Sequence, residues 1–109
     1  MAFRLLIVDD DPATLLGLHD ALQTKFPDAD IFTAPSAEHA LIRMNSSESF
    51  DIVLSDIRMP GMNGVVLLRE IKARFPACIV FLMTGAQGDF RMEALRLGAA
   101  GLLEKPLDI

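Results

Sequence analysis

The stretch Leu5-Leu6-Ile7-Val8-Asp9-Asp10-Asp11-Pro12 sets a short apolar run directly against three carboxylates and a proline. Apolar residues that are continuous rather than alternating suit a strand buried on both faces, the pattern of a parallel sheet covered by helices. Asp11-Pro12 then reads as an N-cap followed by proline in the first helical turn. Leu15, Leu18, Leu22 and Phe26 recur at helical spacing, and Pro27 closes that helix. Gly17 inside it costs roughly 1 kcal/mol relative to alanine, and its presence predicts a close approach by a packed neighbour.

The same strand-then-helix unit repeats along the chain. A second strand is expected at about Ala29 to Ala34, followed by a helix begun at Ser36 and carried by Ala37, Ala40, Leu41 and Met44. Ile52-Val53-Leu54 is a third buried strand that stops at Asp56. The turn cluster Pro60-Gly61-Met62-Asn63-Gly64 leads into a helix marked by Leu67, Leu68, Ile71 and Phe75 and ended by Pro76. Cys78 to Met83 forms the fourth strand, broken by Thr84-Gly85. Asp89 to Leu97 is a weaker helix ended by Gly98, and Ala99 to Glu104 is the fifth strand, closed by Lys105-Pro106. Five alternations of strand and helix argue an α/β fold with a parallel sheet between helical layers. The helix that alternation predicts after the fifth strand is missing before Ile109.

Composition narrows the class further. The chain has 109 residues, enough for one domain (1–109) with a single core. It is 51% hydrophobic and 23% charged, which excludes a disordered or fibrous chain. A formal net charge of −5 argues against a generic binder of nucleic-acid phosphates. The longest apolar runs are too short to cross a bilayer, and Met1-Ala2-Phe3-Arg4 lacks the features of a secretion signal, so a cytoplasmic location is expected. A single cysteine, Cys78, excludes an internal disulfide framework and a cysteine-based zinc site.

The polar residues carry the functional signal. Asp9 and Asp10, Asp56, Thr84 and Lys105 each follow the last apolar residue of an expected strand. In an open parallel sheet those carboxyl ends share one edge, where ligands bind. Each residue alone has an ordinary explanation: an aspartate as a helix cap, a threonine in a turn, a lysine exposed before proline. Arriving together, they bring three carboxylates, a hydroxyl and an ammonium to one rim. Two carboxylates about 4 Å apart repel by roughly 4 kcal/mol at an effective dielectric near 20. Such a cluster must protonate, spread or hold a cation, and oxygen-only ligands suit Mg2+. A divalent ion beside a carboxylate nucleophile, with a lysine and a hydroxyl, is equipment for phosphoryl transfer.

Four strings resemble the receiver domain of bacterial two-component response regulators. They are Leu6-Ile7-Val8-Asp9-Asp10-Asp11, the segment from Asp51 to Gly64 (DIVLSDIRMPGMNG), Met83-Thr84-Gly85 and Glu104-Lys105-Pro106. The resemblance runs from Phe3 to Ile109. It implies a flavodoxin-like three-layer sandwich with a five-stranded parallel sheet of order 2-1-3-4-5. It implies that Asp56 accepts a phosphoryl group from a sensor histidine kinase, a phosphotransfer protein or a small acyl phosphate. It further implies Asp10 as a direct Mg2+ ligand, Asp9 acting mainly through water, and the Arg58 main-chain carbonyl as another ligand. Arg58's side chain would face the mouth of the site. Thr84 would be the switch hydroxyl and Lys105 the lysine paired with the phosphoryl group, while Met59-Pro60-Gly61 would shape the adjoining loop and Gly85 would leave access. The domain would be a phosphoacceptor, not an enzyme beyond its own phosphorylation and dephosphorylation. Two departures stand out. Leu102 occupies the position three before the lysine where many receivers carry an aromatic switch residue, and the final helix is absent. The chain therefore reads as part of a longer regulator with an output domain beyond Ile109. If the chain ends there, an uncovered sheet face and self-association into a homodimer are expected.

Other readings account for less. A haloacid-dehalogenase-type phosphatase could use Asp9-x-Asp11, but it needs an acidic pair after the lysine and leaves Asp56 without a role. A flavodoxin needs a Ser/Thr/Gly-rich loop where this chain has three aspartates. A degenerate receiver serving only as a binding module would not require the full residue set. His19 and His39 lack partners at ligand spacing and read as surface residues, Cys78 as inert packing, and Met44 and Met83 as core. Arg69, Lys72 and Arg74 read as a solvated basic face.

Overall fold

The structure, a computed structural model, describes residues 2–46, 49–85 and 91–107. Five strands, β1 (Arg4–Val8), β2 (Asp30–Ala34), β3 (Ile52–Asp56), β4 (Ile79–Thr84) and β5 (Gly101–Glu104), pair in parallel in the order β2-β1-β3-β4-β5. Four helices, α1 (Pro12–Lys25), α2 (Ala37–Asn45), α3 (Gly64–Arg74) and α4 (Arg91–Arg96), connect them. The continuous apolar runs predicted for β1 and β3 are buried along almost their whole length, because both are interior strands covered on two faces.

Side chains alternate across the sheet and divide the core in two. Leu6, Val8, Val53, Val80 and Leu82 face α2, α3 and α4, meeting Ala40, Met44, Leu67, Leu68, Ile71 and Ala94. Leu5, Ile7, Ile31, Leu54 and Met83 form the opposite cluster, against which Leu15, Leu18 and Leu22 of α1 pack half-buried. That second face is covered by one helix among the described residues, so no residue of α1 is fully buried. Gly17 corrects its sequence reading: a Cβ there would meet nothing within 4 Å, because this side of α1 faces open space.

Helix starts follow their caps. Asp11, Ser36 and Asn63 accept backbone N–H bonds from Ala13, His39 and Val66, satisfying first-turn donors that have no partner within the helix. The last two strands differ from expectation at their ends. β4 runs on to Thr84, whose register partner is Glu104. β5 begins at Gly101 rather than Ala99, because Ala99 N–H returns to Ala94 O at 2.9 Å and Gly98, at φ 102°, turns the chain out of α4. The expected start of α4 at Asp89 lies outside the described residues, as does Ile109. No described residue beyond Glu104 is helical. Lys72 is not simply solvated: its ammonium donates to Pro76 O at 3.3 Å and Cys78 O at 2.7 Å. Arg74 pairs with Glu70 at 3.0 Å.

Candidate functional site

Three consecutive aspartates leave β1 and take three different environments. Asp9 is 1% exposed. Its N–H still donates to Ala34 O at 3.2 Å, extending the sheet direction by one residue. Its carboxylate accepts from Asp11 N–H at 3.0 Å and from the Lys105 ammonium at 3.0 Å. Asp10 turns outward and is exposed. Asp11 is committed to α1, accepting from Ala13 N–H at 3.3 Å and Thr14 Oγ1 at 2.7 Å. The Thr14 hydroxyl leads in holding the Asp11 carboxyl below its ordinary range. An Asp9-x-Asp11 pair acting on one ligand is therefore not assembled.

Asp56 ends β3 beside Asp9. It is 8% exposed, and its Oδ2 lies 3.3 Å from the Lys105 ammonium. The backbone around it is tightly fixed. Ser55 Oγ donates to Asp56 O at 2.9 Å, and Ile57 N–H donates to Met83 O at 3.1 Å. Gly64 N–H donates to Ile57 O at 2.8 Å. Lys105 is held to β4 through its own N–H, which donates to Thr84 O at 2.9 Å, so the ammonium is aimed between the two buried carboxylates. Thr84, at the end of β4, is 7% exposed on this edge. The exposed Arg58 lines an open cleft of about 450 Å³ with Ile57, Met59, Pro60 and Asn63, a lining that includes none of the clustered carboxylates.

Charge is only partly balanced. Burial raises the Asp56 carboxyl above its ordinary value; the Lys105 charge opposes that shift and the Asp9 charge adds to it. For Lys105, burial pulls the ammonium down, but the hydrogen bond it donates to Asp9 and the Asp56 and Asp9 charges outweigh it, and the net shift is upward. One ammonium facing three carboxylates leaves an excess of negative charge. Asp9, Asp10 and Asp56 can each offer one oxygen, all within 4.8 Å of one another. Oxygen donors alone, one of them exposed, fit a hard divalent cation that keeps part of its water shell.

The remaining candidates stand apart. His39 Nδ1 lies 2.6 Å from Ser36 Oγ and His19 Nδ1 lies 3.2 Å from Asp20, both away from the acidic cluster. Cys78 is buried in the core, and burial pushes its thiol up to about 11, as suits inert packing. Met44 and Met83 are core residues. No described helix is long and apolar enough to cross a membrane. Two features were missed in the sequence. Gly64 was legible only as a turn residue, and Glu38, whose carboxylate reaches Met62 N–H at 3.1 Å, gave no sequence signal across 24 positions.

An open parallel sheet with an acidic, lysine-crossed cluster at the carboxyl ends of its inner strands defines a module of the doubly wound α/β class whose carboxylates could hold a cation. Within that class, the chain belongs to the response regulator receiver domain family, whose model matches residues 5–109. It is 38% identical to the response regulator protein FleR of Pseudomonas aeruginosa over 99% of this chain and 22% of that protein. It is 37% identical to the transcriptional regulatory protein FixJ of Bradyrhizobium diazoefficiens over 96% of this chain and 50% of that protein. The chain thus spans between about a fifth and a half of these relatives' lengths. Among solved structures, the receiver domain of a DNA-binding response regulator from Colwellia psychrerythraea 34H superposes with a TM-score of 0.88 at 32% identity. That match covers 98% of this chain and 89% of the other. Receiver domains are the regulatory phosphoacceptor modules of two-component phosphorelay signalling and bind Mg2+ at an acidic pocket. The expected family, function class and strand order 2-1-3-4-5 all hold. Nothing in these relatives favours a phosphatase or a binding-only module.

Proposed function

We propose that Asp56 is the phosphoacceptor of this domain. The observation that carries the reading is its double setting: a nearly buried carboxylate joined through Lys105 to Asp9, within a three-carboxylate cluster open at Asp10. One Asp56 carboxylate oxygen attacks phosphorus and forms an O–P bond. The N–P bond of a phosphohistidine, or the O–P bond of a small acyl phosphate, breaks, and the electron pair leaves with imidazole or carboxylate. Asp10 would hold Mg2+ directly and Asp9 mainly through water, with Asp56 and the Arg58 carbonyl as the further ligands from the protein. When bound there, Mg2+ would supply charge neutralisation for the incoming phosphoryl oxygens. Lys105, already poised between two carboxylates, moves its charge onto the phosphoryl group, and Thr84 donates its hydroxyl to it. Small Gly85 leaves room beside Lys105. The domain assists only its own phosphorylation and dephosphorylation.

The added charge of about −1.5 to −2 on Asp56 biases a neighbouring surface. With Leu102 half-buried against the core in place of an aromatic switch residue, Thr84 carries that coupling. The partner is a sensor histidine kinase or a phosphotransfer protein in the cytoplasm. Output falls to a separate domain, a reading supported by relatives of which this chain covers 22% and 50%, and this acidic domain does not itself contact nucleic acid. Exposed Met92, Leu95 and Leu103 support a homodimer face on α4 and β5. Incubation with a small acyl phosphate and Mg2+ should add one phosphoryl group by intact mass. Uptake by Asp56→Asn would reject the assignment.

A further inference from the structure

The loop from Ile57 to Asn63 carries Arg58, whose carbonyl is assigned to the metal, and it must keep its shape while the acidic cluster fills and empties. Its two ends are fixed: Ile57 N–H bonds Met83 O, and Ile57 O accepts from Gly64 N–H at 2.8 Å. Its middle is held from a different element. We propose that Glu38, in the first turn of α2, is a positioning residue that pins the middle of this loop and so keeps the Arg58 carbonyl in place for Mg2+.

Glu38 Oε2 accepts from Met62 N–H at 3.1 Å. At the preceding residue, Gly61 adopts the left-handed φ of +76°, and a Cβ there would come to 2.7 Å from the same oxygen. The carboxylate therefore lies against two consecutive loop residues. Its base is firm. α2 is capped by Ser36, whose hydroxyl accepts from His39 N–H at 3.1 Å, and Ala37, Ala40, Leu41 and Met44 bury its inner face. Backbone hydrogen bonds, first from Glu38's own N–H and then from Met62, hold the Glu38 carboxyl below its ordinary range, so it is ionised when it grips the loop. An acid in a helical first turn also favours the helix dipole with no help from the loop. The two roles separate by chemistry. Glutamine keeps an oxygen that can accept from Met62 but loses the charge the dipole would need.

The inference rests on the reading of Asp56 and Arg58 given above, and its test is partly independent of it. Amide hydrogen exchange at Met62 is measured on the metal-free protein, and the Mg2+ dependence of phosphorylation by a small acyl phosphate is measured separately. Glu38→Ala should speed exchange at Met62 by about three- to tenfold, the range for loss of one hydrogen bond. It should also raise the Mg2+ concentration for half-maximal phosphorylation several-fold while leaving the saturated rate close to wild type. Glu38→Gln should restore both. Unchanged exchange at Met62 in Glu38→Ala overturns the tether, as does a Glu38→Gln protein as impaired as the alanine variant. An unchanged Mg2+ dependence with faster exchange overturns the link to the metal. Failure of the wild-type domain to take up a phosphoryl group instead overturns the reading of Asp56 and, with it, the tether's role in phosphorylation.

Discussion

Gly64 packs its α-carbon directly on the backbone of Asp56. A Cβ at Gly64 would overlap the Asp56 carbonyl oxygen and come within 2.9 Å of Ile57 Cα. These are backbone atoms at the end of an interior strand and of the residue after it, which is hydrogen-bonded to Met83 and Gly64, so they cannot move aside cheaply. Gly64→Ala should therefore destabilise the domain by about 1–3 kcal/mol, the usual cost of overpacking, and slow phosphorylation by shifting the end of β3. Its neighbour provides the contrast. Asn63→Ala removes only the cap on Val66 N–H and should cost about 1 kcal/mol, with phosphorylation little changed. Urea denaturation paired with acyl phosphate labelling separates the two.

Lys105 is the one cation that the described residues bring onto Asp9 and Asp56. Replacing it by methionine leaves a carboxylate that is 1% exposed without its charge partner. Breaking such a pair costs about 3–5 kcal/mol when fully buried, and less here because the lysine side chain is partly exposed. We expect a loss of about 1–3 kcal/mol in metal-free protein. Mg2+ should bind more tightly to Lys105→Met than to wild type, since a competing positive charge is gone. Calorimetric titration with Mg2+ reads the sign directly.

The consecutive Asp10 and Asp11 should behave in opposite ways. At a hundredfold excess over its Kd, Mg2+ should stabilise the wild-type domain by about 2.7 kcal/mol through mass action. Asp10→Asn should lose most of that gain. Asp11→Asn should keep it, because Asp11 caps α1 and asparagine caps as well as aspartate. Thermal melts with and without Mg2+ suffice.

Asp56 gives the pH dependence its sign. Its folded value lies above the ordinary 3.8, so its contribution to stability is full below the unfolded value and is lost as pH rises through the folded value. Ionised Asp56 thus costs the metal-free protein stability at neutral pH. Asp56→Asn should melt higher than wild type there, and the difference should shrink with Mg2+ present or below pH 3.8. A melting series across pH, with and without Mg2+, measures it.

Much of this was legible in the chain, for identifiable reasons. β1 and β3 announced themselves because interior parallel strands demand unbroken apolar runs, and each runs up to an aspartate of the acidic cluster. Asp11 and Ser36 marked helix starts because capping is local chemistry, whereas Asn63, the cap of α3, was legible only as part of a turn. Gly17 misled, because glycine records permissiveness and not whether a neighbour fills the space. Gly64 was read as part of a turn, since its contact with Asp56 spans eight positions and leaves no periodic trace. Glu38 was invisible for the same reason: its partner, Met62, is set by how α2 packs and not by spacing.

Transfer of the phosphoryl group to Asp56, as proposed, leaves a chemical mark that can be read directly. Borohydride reduces an aspartyl phosphate to an alcohol and so marks the acceptor in a peptide map. After treatment with a small acyl phosphate and Mg2+, the reduced residue should be found at Asp56 alone, and at no position when Mg2+ is withheld. Reduction at Asp9, Asp10 or any other carboxylate, with Asp56 unmodified, would contradict the account.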